Sequence, residues 1–344
     1  MRLSDTCNDR NNNICVMKFI AAILVIISHA YPLIYGAEAV DPLCKSLKGG
    51  ITFGGVAVSV FFFLGGFLNC KSTVKSGSLE EYLRKRIIRI VPPLFFVSFI
   101  LAFVMGAAVT SLSLSEYYSS KDTYLYLLNS IMILRHELPG VFTSSPYNST
   151  VNGVLWTMPV EFICYIGCYI LYKLGLLNEK KISITAIPIM LIYVVMTIVV
   201  GRISPLLASA IRPMMLFLIG MFCYIFKERI YIHRATALIC LFVSLISCYF
   251  GVFDYIGIYF FAYFLLYAAF GTNRKLSAFG NRAEISYEIY LVAFPIQQLL
   301  SIYIGYRISV AAHIILVIVC SIIVGFIVWY ICERPLINKR KETL

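Results

Sequence analysis

The chain has 344 residues, of which 60% are hydrophobic and only 13% charged, with a mean hydropathy of +0.85. Soluble proteins average about 45–50% apolar and about 25% charged residues, so a soluble globular fold is excluded. The formal net charge of +12 raises nucleic acid as a partner, and the placement of the basic residues, taken up below, removes it.

In chain order, residues 1–13 form a short polar head. The first predicted span covers about 15–35, within a charge-free run at 19–37, and carries His29. Ala37-Glu38-Ala39 after it imitates a signal-peptidase site, but the run exceeds the roughly 7–15 residues of an h-region, so it reads as a retained span. The second span is predicted at about 51–69. An inner loop of helical and basic character, 70–89, follows, with Glu80 and Glu81 four residues before Arg84 and Lys85. The third span begins near residue 90 and holds Pro92-Pro93 in its first turn, where a missing amide is tolerated. The longest outer connection, 111–153, contains a half-buried stretch at 124–134 and then a segment rich in Gly, Pro, Ser and Asn.

Span four, about 154–173, carries Glu161 and, one turn apart, Cys164 and Cys168. The 11 cysteines show no paired zinc spacing, so these two read as packing residues and no metal is expected. Spans five to ten fall at about 182–201, 208–226, 235–253, 255–273, 289–306 and 308–332, ahead of a basic tail, 335–344. A helix needs about 20 apolar residues to cross a hydrocarbon core. These runs are apolar all round instead of alternating, which disfavours a transmembrane barrel. Ten of them leave no room for a second soluble domain of ordinary size. The predicted fold is an all-α integral membrane protein: one domain over residues 1–344, about ten transmembrane helices, both termini cytoplasmic.

That topology sorts the 29 basic residues. The outer side keeps Lys45, Lys48, Lys121, Arg135, Arg202, Arg212 and Arg307, and all the others fall inside. Such an imbalance is what the positive-inside rule expects, and it explains the charge with no nucleic-acid partner.

Ionisable groups are expensive within a bilayer, so those left inside spans are candidates for function. His29 lies about six residues from the outer end of span one and Glu161 about seven from the outer end of span four, so both sit roughly 10 Å below the same surface. A histidine oriented by a carboxylate is a general-base arrangement for activating a hydroxyl. The plain alternatives are a packing histidine and a carboxylate serving as interhelical glue. Lys18 precedes His29 by eleven residues, which returns to nearly the same helix face about 16 Å away; alone it is also a snorkelling interfacial lysine. Arg84, Lys85, Arg86 and Arg89 beside span three suit phosphate, since guanidinium pairs with it bidentately, and they equally suit topology determination or lipid headgroups.

Six pieces in order then carry a resemblance: Lys18-Phe-Ile-Ala-Ala-Ile-Leu-Val-Ile-Ile-Ser-His29; Phe61-Phe-Phe-Leu-Gly-Gly-Phe-Leu68; Arg84-Lys-Arg-Ile-Ile-Arg-Ile-Val-Pro-Pro93; Leu155-Trp-Thr-Met-Pro-Val-Glu-Phe162; Ile285-Ser-Tyr-Glu-Ile-Tyr-Leu291; and Glu333-Arg-Pro335. Together they resemble the membrane acyltransferase-3 family, which includes bacterial O-acyltransferases acting on cell-surface polysaccharides. The resemblance implies that His29 matches the family's essential histidine and Glu161 its glutamate after the Leu-Trp pair, with acyl-coenzyme A as donor. Three departures are visible: Lys18 stands where the family usually has arginine, Gly65 where it has serine, and Ala293 where histidine is common. Lysine keeps the charge and loses the bidentate fork.

The expected function is a multi-pass inner-membrane O-acyltransferase. It would move an acyl group, acetyl in the first instance, from cytoplasmic acyl-CoA to a hydroxyl of a surface glycan or lipid-linked sugar. His29 is its base or transient acyl carrier and Glu161 its supporting carboxylate. Lys18, Arg84, Arg86 and Arg89 are expected to hold donor phosphates, and Trp156 to wall the pocket or anchor the interface. Membrane lipids are its surroundings, and no tightly bound cofactor is expected. A transporter or flippase of a lipid-linked sugar, using His29 and Glu161 as a proton relay, is the rival reading, and a structural or sensing subunit the third.

Overall fold

In hydrocarbon every backbone N–H and C=O has to find its partner within the protein, and a helix does so inside one segment. The computed structural model describes residues 1–7, 12–76, 78–203, 205–271, 279 and 283–336. Among them there is no strand, only an isolated antiparallel bridge between Arg2 and Tyr231. The long helices are α1 (Ile14–Tyr35), α2 (Phe53–Lys75), α3 (Leu79–Ile100), α4 (Thr157–Lys173), α5 (Glu179–Ile203), α6 (Pro205–Ile225), α7 (Arg234–Tyr249), α8 (Ile258–Phe270), α9 (Ser286–Ile304) and α10 (Val310–Cys332). Part of the polar head, most of the 272–284 loop and the tail from residue 337 lie outside the described residues, and with them Arg10, Arg274, Lys275, Arg282, Lys339, Arg340 and Lys341.

Among the described residues seven stretches are long and apolar enough to cross a membrane: Ile14–Tyr35, Phe53–Lys75, Leu79–Val109, Gly153–Lys173, Glu179–Val200, Phe253–Phe270 and Val310–Leu336. Ser209–Ile225 and Arg234–Tyr249 are shorter apolar helices, and the 19 residues of α9 include Glu288, Gln297 and Gln298. The protein is an all-α membrane protein.

The expected loop 70–89 is largely helix. α2 runs on to Lys75 and α3 starts at Leu79, so the basic cluster is built into α3 and Pro92-Pro93 lie in its interior instead of its first turn. The start signal lies upstream of the prolines: the Ser78 hydroxyl accepts the Glu81 N–H at 3.1 Å, and Glu80 and Glu81 occupy the first turn, where carboxylates oppose the helix dipole. The stretch 124–134 folds as a short helix (Lys121–Leu125) and a 3-10 turn (Tyr126–Ile131) that bury Tyr126 and Asn129.

The chain separates into two compact units. The first comprises Met1–Ala21, Pro42–Tyr82 and Val160–Asn281, the second Ala22–Asp41, Leu83–Pro159 and Arg282–Leu344. In the first, α2 and α6 meet backbone to backbone. A β-carbon at Gly66 would run into the carbonyl of Phe217, and one at Gly220 into the carbonyl of Phe63. Small residues at such crossings let helices approach closely where no hydrophobic effect drives them together. Nearby, the buried Tyr82 hydroxyl donates to the Tyr165 carbonyl at 3.0 Å, and its ring stacks on Tyr169.

In the second unit α9 packs along α10, with Gly325 facing the backbone of Ile289. α9 is also tied to the segment leading into α4. Asn152 donates its side-chain N–H to the Leu291 carbonyl at 2.8 Å, and the hydroxyls of Thr157 and Tyr290 lie 2.8 Å apart. The π-helical segment Leu101–Met105 is met by the Tyr117 hydroxyl, which donates to the Ala102 carbonyl at 2.6 Å.

The glycine crossing separates two adjacent positions. Gly66→Ala should cost about 1–3 kcal/mol through overpacking and lower the melting temperature of the detergent-solubilised protein. Gly65→Ala should be silent, because its β-carbon meets only the Phe217 ring at 3.7 Å. Equal melting of the two variants would contradict the close approach.

Candidate functional site

α1 is apolar apart from Lys18 and Ser28, so its one imidazole stands out against aliphatic neighbours. His29 Nδ1 lies 2.9 Å from the Val25 carbonyl one turn earlier. A carbonyl only accepts, so Nδ1 carries the hydrogen and donates it, and the neutral ring keeps its lone pair on Nε2. Among the described residues none hydrogen-bonds to Nε2. The ring is half-buried and faces Phe294 edge-on, centroids 5.3 Å apart at 76°. The orienting group on Nδ1 is therefore a backbone carbonyl of the same helix.

Glu161 is half-buried in the first turns of α4 and accepts a hydrogen bond from the Tyr165 hydroxyl one turn on. Tyr165 in turn packs against Phe217. Trp156, half-buried, closes the 3-10 turn Gly153–Trp156, whose cap is the Asn152 side chain. Lys18 is half-buried on α1, which stays helical from Ile14 to Tyr35, so the eleven-residue spacing to His29 is a helical one. Arg84, Arg86 and Arg89 all project from α3, with Arg84 and Arg89 exposed and Arg86 half-buried.

Among the described residues Arg89 pairs with Glu284 at 2.8 Å and, more loosely, with Glu333 at 3.7 Å. Any phosphate reaching Arg89 would compete with both. Lys18 and Glu161 belong to the first unit, while His29, Trp156 and the three arginines belong to the second. Among the described residues, no group of three or more His, Cys, Asp or Glu is placed to hold a metal ion. Cys164 and Cys168 are buried, and the Cys168 sulfur lies 3.4 Å from the Thr73 hydroxyl.

Phe294, edge-on to His29, and Gln297, bonded to the Ile26 carbonyl, carry no charge to mark them in the sequence. Arg212 and Asp254 are visible as charges, but their pairing is not: one guanidinium nitrogen lies 2.8 Å from Asp254 Oδ2 while the cation covers the Phe253 ring. The available signal was polarity: paired amides, Gln297-Gln298, inside an otherwise apolar run.

The family model described as an acyltransferase domain, that of the acyltransferase-3 family, matches residues 11–334. The chain belongs to the acyltransferase-3 family. An O-acetyl transferase of Shigella phage Sf6 is 26% identical over 353 aligned positions, covering 97% of this chain and 98% of that one. Nodulation protein 10 of Rhizobium leguminosarum bv. viciae is 29% identical over 166 residues, 45% of this chain and 42% of its own length. No solved structure matches the chain. This acyltransferase-3 member is a multi-pass membrane enzyme of the O-acetyltransferase kind.

The acidic partners of Arg89 give a test of its role. Partly exposed ion pairs contribute about 0–1 kcal/mol, so Glu284→Gln should leave the melting temperature nearly unchanged. If a phosphorylated donor binds at Arg89, the variant should also lower its apparent KM, because a competitor for the guanidinium is removed. An unchanged KM would assign Arg89 to holding α3 against Glu284 and Glu333 alone.

Proposed function

We propose that this protein is an inner-membrane O-acyltransferase that moves an acyl group, acetyl in the first instance, from cytoplasmic acyl-CoA to a hydroxyl of a surface glycan or lipid-linked sugar. The frame is a single membrane domain crossing about ten times, with both termini in the cytoplasm. The observation that carries the reading is the His29 imidazole, whose Nδ1–H is tied to Val25 and whose Nε2 is left open, in a chain of acyltransferase-3 descent.

In the reaction Nε2 takes the proton of the acceptor hydroxyl as its oxygen attacks the thioester carbonyl. The carbon–sulfur bond then breaks, the electron pair leaves on sulfur, and the imidazolium returns its proton to the thiolate. The Val25 carbonyl keeps the ring in one tautomer and strengthens its hydrogen bond as the ring becomes cationic. Glu161 is the supporting carboxylate, stabilising positive charge. Lys18, Arg84, Arg86 and Arg89 hold the phosphates of the donor, and Trp156 walls the site. No tightly bound cofactor takes part.

Mass spectrometry of surface glycans from cells with and without the protein tests the activity: acyl esters should be present only with it. His29→Ala should remove them while the protein still accumulates, since a positioned base contributes about 10²–10⁴-fold. Full acylation in a folded His29→Ala variant would end the mechanism.

Donor binding separates from chemistry by kinetics. Lys18→Ala should mainly raise KM for the thioester, because binding lost equally from ground and transition states leaves turnover unchanged. Lys18→Arg should retain or improve it through the bidentate fork. Unchanged constants in Lys18→Ala would leave Lys18 as an interfacial anchor. For the topology, a cysteine placed near Ser145 in a background without native cysteines should react with an impermeant reagent from outside, and one at an exposed position near Ser76 should not. The reverse pattern would overturn the assignment of donor and acceptor sides.

A further inference from the structure

Within the second unit, α9 reaches α1 at the turn that carries His29. Gln297 is 1% exposed, and its Nε2 donates to the Ile26 carbonyl at 2.8 Å. That carbonyl only accepts, so the amide must present its nitrogen to α1. Ile26 follows Val25, whose carbonyl holds His29 Nδ1. One turn before Gln297, and on the same face of α9, Phe294 sets its ring edge-on to the imidazole. Phe294 is itself confined by the Tyr147 ring, at 6.1 Å, and by Gly153, where a β-carbon would strike it.

A leucine at 297 would fill the same span without the cost of burying an amide in an apolar medium. The amide is retained where it reaches the turn of α1 bearing the imidazole. We propose that Gln297 and Phe294 are positioning residues for acyl transfer: Gln297 fixes the α1 backbone beneath His29, Phe294 fixes the plane of the ring, and together they keep Nε2 aimed at the acceptor hydroxyl. The proposal rests on the reading of His29 as the base. It adds a second anchor to the Val25 bond, which alone fixes the tautomer but leaves the helix free to shift against its neighbours.

The test compares wild type, Gln297→Leu, Gln297→Glu and His29→Ala in membrane vesicles. The probes are radiolabelled acetyl-CoA and surface polysaccharide from cells lacking the protein, with kcat and KM measured across pH and normalised to folded protein. Because misplacing a catalytic group by about 1 Å costs up to about 10²-fold, Gln297→Leu should lower kcat by roughly 10–100-fold and leave KM for acetyl-CoA within about twofold. Gln297→Glu should be as poor at high pH, where a carboxylate faces the Ile26 carbonyl. It should recover toward wild type as pH falls, when the neutral carboxyl can donate as the amide does, and His29→Ala should be inactive throughout. If both Gln297 variants keep wild-type kcat, or lose only folded protein with no recovery at low pH, while His29→Ala is inactive, then Gln297 is a packing residue and the proposal fails. An active His29→Ala would overturn the base assignment and the proposal with it.

Discussion

A polar group inside hydrocarbon is costly unless the protein itself satisfies it, and that constraint shapes much of the structure from backbone to site. It makes helices the element of choice, and it dictates where the polar side chains go. Arg212 pairs with Asp254 through two hydrogen bonds. Thr157 meets Tyr290, and Asn152 and Gln297 each reach a backbone carbonyl on another helix. Close packing then depends on glycine, because apolar surface has no preference between lipid and protein. Gly66 and Gly220 bring α2 and α6 together by dispersion and shape alone.

The same constraint decides what the primary sequence reveals. Charge-free runs mark the helices, because a stretch of about 20 apolar residues has few other uses, and α1, α2 and α10 fall where hydropathy puts them. The beginning of α3 was not legible in that way. Hydropathy changes at Ile90, but the helix is started eleven residues earlier by Ser78 and two glutamates, a local capping signal that a search for apolar runs passes over. The site shows the same division. His29 and Glu161 are visible as ionisable residues in apolar runs, whereas Gln297 and Phe294 acquire meaning only when α9 is laid against α1. Which carbonyl holds the imidazole is likewise a matter of backbone geometry, and no residue type announces it.

For acyl transfer the sequence reading anticipated an imidazole oriented by a carboxylate. The Val25 carbonyl accomplishes the tautomer selection without introducing a negative charge into the span. A neutral orienting group leaves the ring's basicity to its surroundings, and Glu161 accepts a hydrogen bond from its own partner, Tyr165. Arg84, Arg86 and Arg89 all project from one helix, α3. Arg89 is paired there with Glu284 and, more loosely, with Glu333.

The central claim is that acyl transfer occurs at the open nitrogen of His29. The most direct measurement is an electron cryomicroscopy structure of the full chain in lipid nanodiscs with a non-hydrolysable acetyl-CoA analogue whose sulfur is replaced by carbon. The account predicts the analogue's carbonyl carbon on the Nε2 side of His29, at a distance that leaves an acceptor oxygen about 3–3.5 Å from both. A carbonyl bound on the Nδ1 side, or held away from α1 altogether, would contradict it.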